Sequence, residues 1–272
     1  MEKSQLPPYN PIEILATYNH IELTGDEEIE GRIWAKQQKE IKLREEKLKE
    51  LADNNRKFLT ETQWSFSQTK DYMKYRASDI FLGEFILDEE NEALFNMLCY
   101  YFSNDPLFII SANVFKIKNP SLSKGIMLAG NFGTGKTWLM KLFSKNQRQV
   151  FHIRNAKTIA NVFEKDGEEV SKEFENKIKN PSNDSNSFFH QYAGLCIDDI
   201  GTEDVKNHYG NKKNVIGDLI ETRYSKGNTG VFLHATSNLS GQQLKDFYGE
   251  RVTSRVREIF NLIEVPGNDR RK

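Results

Sequence analysis

One stretch, GIMLAGNFGTGKTWLMKLF from Gly125 to Phe143, constrains this chain more than any other. Its apolar start, Gly125 to Ala129, predicts a buried strand. Gly130, Asn131, Phe132, Gly133, Thr134, Gly135, Lys136 and Thr137 then fit G-x-x-x-x-G-K-[ST] without deviation. Trp138, Leu139, Met140, Leu142 and Phe143 supply the apolar content of a helix. A strand before and a helix after is the context in which this motif cradles a nucleotide. The residue types follow from the chemistry. Glycines let backbone N–H groups turn inward around phosphate oxygens, and a helix N-terminus adds partial positive charge behind them. Lys136 is expected to reach the β- and γ-phosphates of ATP, and the Thr137 hydroxyl to ligate Mg²⁺.

Two later stretches complete the pattern. LCIDDIG, Leu195 to Gly201, is an apolar strand ending in two carboxylates. Downstream of a full phosphate loop this is the Walker B arrangement. Asp198 is expected to hold Mg²⁺, directly or through water, and Asp199 to orient or deprotonate the attacking water. VFLHATSN, Val231 to Asn238, is another buried strand, and the Asn238 amide falls where it can sense the γ-phosphate or the water. His234, inside this apolar run, is expected to be a packed core histidine.

With QVFHIRNA (Gln149 to Ala156) as a further strand, strands alternate with helices along the second part of the chain. The predicted fold is therefore α/β, a parallel sheet with helices on both faces. Lys136, Asp198 and Asn238 all follow strand ends, where such sheets bind ligands. One interval is too long. Residues 156–194 exceed what a single crossover helix needs, and two helices broken near Gly167 plus a polar loop around Pro181 to Ser187 are expected there. Lys157, Phe163 and Lys165 of this insertion could follow a single DNA strand and stack on its bases.

The N-terminal part differs. Pro7, Pro8 and Pro11 argue for an irregular start. From Asp26 a long helix is predicted, with acids and bases at helical spacing (Glu40 with Arg44, Glu45 with Lys49) and a narrow apolar stripe of Ile29, Ile33, Ile41, Leu48 and Leu51. It reads either as a solvated helix or as one that lays its stripe on a partner protein. Residues 60–80, polar with isolated aromatics, read as a tether. The expected division is 1–80, a helical partner-binding region with its tether, and 81–272, the ATPase domain. A helix starts after Asp88 and ends before Pro106, with Leu94, Leu98, Tyr101 and Phe102 in the core. Leu107 to Ala112 and Val114 to Ile117 are short apolar runs. A helix over 210–227 and two short ones in SGQQLKDFYGERVTSRVREI follow.

Charge and cysteines exclude several classes. The formal net charge is −1, so no global basic field drives the chain onto nucleic acid, and any contact is a local patch. The two cysteines, Cys99 and Cys196, make neither a disulfide framework nor a cysteine-rich zinc site. The start MEKSQLPPYNP has no apolar core of a signal peptide, and no apolar run approaches the roughly 20 residues of a membrane span. A cytoplasmic protein without membrane contact is expected.

Taken together, GNFGTGKT, LCIDDIG, ETRYSKG, ATSN, GERVTSRV and GNDRR, in that order, resemble the DnaC/IstB-type helicase-loader branch of the AAA+ ATPases. The resemblance covers about Phe85 to Lys272 and implies a P-loop AAA+ core. It implies that Asn238 is sensor I, that Arg255 is an arginine finger acting on ATP bound by a neighbour with Arg251 as its companion, and that Arg270 or Arg271 is sensor II. It also implies partners: a hexameric replicative helicase engaged by the N-terminal region, single-stranded DNA, and further copies of the chain on ATP binding. The expected function is an ATP-dependent helicase loader. The alternative within the branch is an IstB-type transposition helper that binds DNA and directs a transposase. The balanced charge of the N-terminal helix favours a protein partner over DNA. A small-molecule kinase is a third reading, but LCIDDIG followed by ATSN argues for water as the acceptor.

Overall fold

The computed structural model describes residues 24–61, 63–81, 87–166, 174–179, 192–204, 206–208, 211–267 and 269. The chain divides into two units, Met1–Phe58 and Leu59–Lys272. In the first, the described element is helix α1 (Gly25–Glu61). Its described side chains are exposed, among them the apolar Ile29, Ile33, Trp34, Ile41 and Leu43. Arg32 lies 3.8 Å from Glu28 one turn earlier, an exposed pair that adds little stability. The side chains of Leu48 and Leu51, expected in the stripe, lie outside the described residues.

In the second unit the elements run α2 (Phe66–Phe81), α3 (Glu89–Phe102), α4 (Leu107–Val114), β1 (Gly125–Ala129), α5 (Lys136–Phe143), β2 (Phe151–Asn155), α6 (Ala156–Asp166), β3 (Ile178–Lys179) and β4 (Tyr192–Ile200). They continue with β5 (Lys206–His208), β6 (Asn211–Lys213), α7 (Val215–Ser225), β7 (Leu233–Ser237), α8 (Gly241–Ile259) and β8 (Phe260–Glu264). The main sheet has the order β2-β4-β7-β1-β8 with every neighbour parallel, and β3 adds antiparallel to β4. Both faces are covered. Ile126 and Leu128 of β1 join a core with α2 to α5, whereas Met127 between them joins a second core with α6, α7 and α8. That alternation is the period-2 geometry of a strand buried on both sides. The α/β reading of the sequence is therefore the fold.

Several local expectations are met. Asp88 caps α3 in a capping box with Asn91. His234 is fully buried beside Phe102 and Phe151. Its Nδ1 accepts the Ile126 N–H at 3.0 Å, and burial holds its pKa down at about 3. Helix α8 carries a kink at Gly249, φ +80°, which separates two short helices as expected.

Other expectations are corrected. Residues 66–81 are a helix within the second unit and not a tether. Thr69, Met73, Ala77 and Phe81 form its buried stripe at four-residue spacing. Arg76 Nε donates to the Leu142 carbonyl at 3.0 Å. The period is weak in the sequence because two of its four positions are the small residues Thr69 and Ala77. Of the two apolar runs after Pro106, the first lies in helix α4, which ends at Val114, and Phe115 to Ile117 of the second form the turn beyond it. The helix expected from 210 starts at Val215, capped by Asn214, behind the β5–β6 hairpin. Phe163 is buried in the second core and is not available to stack on a base, whereas Lys157 and Lys165 are exposed.

Besides the pairing of β3 with β4, the described part of the insertion is held by a buried guanidinium. Arg223 of α7 is fully buried and donates to the carbonyls of Phe174 (2.6 Å), Asn176 (2.7 Å), Phe232 (2.7 Å) and Asn228 (3.2 Å). Burial lowers its pKa to about 10, so it stays charged at neutral pH. A carbonyl left without its donor in the interior costs about 1–3 kcal/mol. Arg223→Met should therefore destabilise the protein by about 3–5 kcal/mol, read as a fall in Tm of about 10 °C for a unit of this size. His234 adds a pH dependence with a definite sign. Its folded pKa is depressed from 6.5 to about 3. Its contribution is therefore complete above 6.5 and is lost as pH falls towards 3. Urea unfolding of His234→Gln, whose amide oxygen can still accept from Ile126, should show a shallower acid slope than the natural chain.

Candidate active site

The loop between β1 and α5 has the backbone the motif requires. Gly130, Gly133 and Gly135 take φ values of +147°, +76° and +87°. At Gly133 a side chain is excluded twice, by that φ and because a Cβ would fall 1.7 Å from Asp269 Oδ1. Lys136, 5% exposed, turns back along the loop. Its Nζ donates to the carbonyls of Asn131 at 2.6 Å and Gly130 at 2.8 Å. Thr134 Oγ1 donates to the Asn131 carbonyl at 3.0 Å and accepts from Lys136 at 3.4 Å. Phe132 and Trp138 flank the loop with largely exposed rings, and the Trp138 ring packs at 4.6 Å on Phe81 of α2.

Two strand ends, those of β4 and β7, converge on the start of α5 beside this loop. Thr137 Oγ1 donates to Asp198 Oδ1 at 2.8 Å, and Thr236 Oγ1 donates to the same oxygen at 2.7 Å. Asn238 Nδ2 donates to Asp199 Oδ1 at 3.0 Å. Consecutive residues of a regular strand point to opposite faces, so adjacent carboxylates need a local irregularity to face one site. The structure supplies it. Between β4 and β7 the register runs Ile197↔Ala235 and then Ile200↔Ser237, one extra residue in β4. Asp199 adopts φ +57° within that bulge, and its N–H donates to Thr236 Oγ1 at 2.8 Å.

The arrangement suits a nucleoside triphosphate with Mg²⁺. Inward-turning glycines and a helix N-terminus fit phosphate oxygens. The hydroxyl of Thr137 and the carboxylate of Asp198, already in contact, are hard oxygen donors of the kind Mg²⁺ takes alongside phosphate and water. No cluster of three or more His, Cys, Asp or Glu that could hold a metal unaided occurs among the described residues. When bound, such an ion would neutralise phosphate charge.

The arginines are elsewhere. Arg255, on α8 beyond the Gly249 kink, lies over the Tyr224 ring at 4.2 Å and donates to Tyr224 Oη at 3.1 Å and Glu258 Oε2 at 3.0 Å. Arg251 pairs with Glu221 at 2.8 Å, its side chain largely exposed. Neither arginine bonds to the phosphate loop of its own chain. Arg270 and Arg271 lie outside the described residues. The residue before them, Asp269, is described and rests on Gly133. Sequence reasoning missed Thr236, although it stands two residues before Asn238 on the same strand. It also missed Asp269 inside the GNDRR stretch that it singled out.

A glycine loop between a parallel strand and a helix, with paired carboxylates and a polar strand end beside it, defines a P-loop ATPase of the AAA+ class. The family model of the AFG1-like ATPases matches residues 102–265. The chain belongs to that family, and it is an ATPase. No curated protein has a significantly similar sequence. Among solved structures the fold is similar to that of the DnaC helicase loader, at 18% identity and a TM-score of 0.38, covering 58% of this chain and 88% of that one. It is similar also to AMPPCP-bound DnaA from Aquifex aeolicus, at 18% identity and a TM-score of 0.41, covering 68% of this chain and 50% of that one. A DNA replication initiation factor shows 18% identity and a TM-score of 0.42, covering 68% and 48%. The chain thus spans about half the length of the last two. No described helix is long and apolar enough to cross a membrane.

The site predicts a split between binding and placement. Lys136→Ala should abolish binding of a fluorescent ATP analogue. Thr236→Val should keep binding within about threefold and lower turnover by about tenfold or more, because it removes one donor to Asp198 and one acceptor for the Asp199 N–H.

Proposed function

We propose that this ATPase loads a hexameric replicative helicase onto single-stranded DNA in the cytoplasm, with ATP binding and slow hydrolysis gating assembly and release. The observation that carries the reading is α1. It belongs to a unit separate from the ATPase core and exposes Ile29, Ile33, Trp34, Ile41 and Leu43 along a helix of near-balanced charge. Exposed apolar positions on such a helix suit the groove of a protein partner better than a phosphate backbone. The motif order from GNFGTGKT to GNDRR, which resembles the DnaC/IstB branch, supports the same reading.

In this proposal the loop N–H groups and Lys136 bind the β- and γ-phosphates. Thr137 and Asp198 face the Mg²⁺ position, and Thr236 keeps Asp198 turned towards it. Asp199 takes the proton of the attacking water or orients it, held in place by the Asn238 amide. Charge developing on the transferred phosphoryl group needs a further cation. Arg255, with Arg251 beside it, supplies that cation to ATP on the next subunit. The exposure of Arg251 and the partial exposure of Arg255, both engaged away from their own loop, support action across a head-to-tail contact, which builds rings or open spirals. Arg270 or Arg271 completes the nucleotide contacts, and the exposed Lys157 and Lys165 contribute to DNA binding.

Deleting residues 1–61 should remove capture of the helicase and leave nucleotide binding intact. A truncated protein that still captured the helicase as well as the full chain would sink the proposal. Mixing Lys136→Ala with Arg255→Ala, each inactive alone, should restore part of the ATPase activity. A mixture as inactive as its components would show that Arg255 does not act across subunits.

A further inference from the structure

Glu203 is a carboxylate that neither the phosphate loop nor the strand ends employ. It is 3% exposed, four residues beyond Asp199. A buried carboxylate is retained at a cost unless its oxygens are engaged. Here both are. Gly201 N–H donates to Glu203 Oε2 at 2.8 Å, and Tyr248 donates its hydroxyl to Glu203 Oε1 in a short hydrogen bond.

These contacts tie two parts of the molecule together. Residues 199–203 run from the β4 bulge into the turn that follows it. Its backbone is unusual at both ends of the Asp199–Gly201 step, φ +57° at Asp199 and +88° at Gly201. Thr202 closes it, donating its N–H at 3.3 Å and its hydroxyl at 2.7 Å to the Asp199 carbonyl. Left-handed backbone at a non-glycine residue is strained, so the turn needs bonds that over-determine it. Tyr248 stands on α8 immediately before the kink at Gly249. A Cβ at Gly249 would meet nothing within 4 Å, and the helix resumes beyond the kink with Val252, Val256 and Ile259 buried in the second core. Tyr248 lies on one side of the kink, and Arg251 and Arg255 lie on the other.

We propose that Glu203 and Tyr248 are a positioning pair for ATP hydrolysis: together they anchor the turn bearing Asp199 to α8 and so aim the Asp199 carboxylate. The inference rests on the reading of Asp199 as the group that handles the attacking water. Burial pushes the carboxyl of Glu203 up and the phenol of Tyr248 up, which keeps the phenol protonated and donating at neutral pH.

The test is ATP turnover by the full chain, with Glu203→Gln, Tyr248→Phe, the double variant and Asp199→Asn measured together, and with binding of a fluorescent ATP analogue and Tm followed in parallel. Each single change should lower kcat by roughly tenfold and leave KM within about twofold. The double variant should be no slower than the slower single one, because the two side chains act as one unit. Tyr248→Phe keeps the ring, so its Tm should stay within a few degrees, and it carries the test alone if Glu203→Gln does not fold. Wild-type kcat in Tyr248→Phe beside an inactive Asp199→Asn would overturn the pair and spare the reading of Asp199. Losses shared between kcat and KM, or multiplied in the double variant, would also overturn it. Wild-type turnover in Asp199→Asn would remove both.

Discussion

The molecule depends on one oxygen atom. Asp198 Oδ1 accepts from Thr137 at the start of α5 and from Thr236 near the end of β7. Three separate segments, one from each of the motifs GNFGTGKT, LCIDDIG and ATSN, are thereby pinned at the carboxyl edge of the sheet. Partly buried hydrogen bonds to a carboxylate are stronger than neutral ones, and their geometry sets where a metal and phosphate can sit. The bulge in β4 follows from the same requirement. Without the extra residue, Asp199 would point to the opposite face of the sheet from Asp198.

Around this point the fold distributes its polar groups sparingly. Four carbonyls converge on Arg223, and those of Tyr101 and Leu122 converge on Arg148, at 2.7 Å and 2.6 Å. Both guanidiniums are engaged by backbone rather than by carboxylates, so they act as clamps for chain segments that have no ladder partner. Asn261 does the same between β8 and the turn before β1, bonding Ser121 in both directions. Each clamp joins residues far apart in sequence. Residues 174–176 of the insertion after α6 and the turn before β1 are thereby tied to the sheet.

The arginines of α8 obey a different logic. They are held on the surface by Tyr224, Glu221 and Glu258, with solvent on their free sides. A cation intended for its own phosphate loop would be placed beside that loop. This one is kept ordered and outward, which agrees with the proposed role in a neighbouring subunit.

Much of the second unit was legible in the residues. The phosphate loop, the parallel sheet, the Asp88 cap, the two short helices of residues 240–259 and the buried His234 all follow from short-range rules of composition, period and capping, which a single stretch of sequence contains. What escaped were features that exist only between distant segments. The stripe of α2 was hidden because Thr69 and Ala77 are apolar enough only when a neighbouring helix covers them. Phe163 looked available for a base until the second core enclosed it. Thr236 and Glu203 carry no signature of their own, since a hydroxyl or a carboxylate gains its meaning from what stands opposite. The sequence by itself determined that a nucleotide site forms at the end of β1. The tertiary structure alone decided which side chains face it, because strand order, the β4 bulge and the packing of α8 are set by contacts between residues separated by tens of positions in the chain.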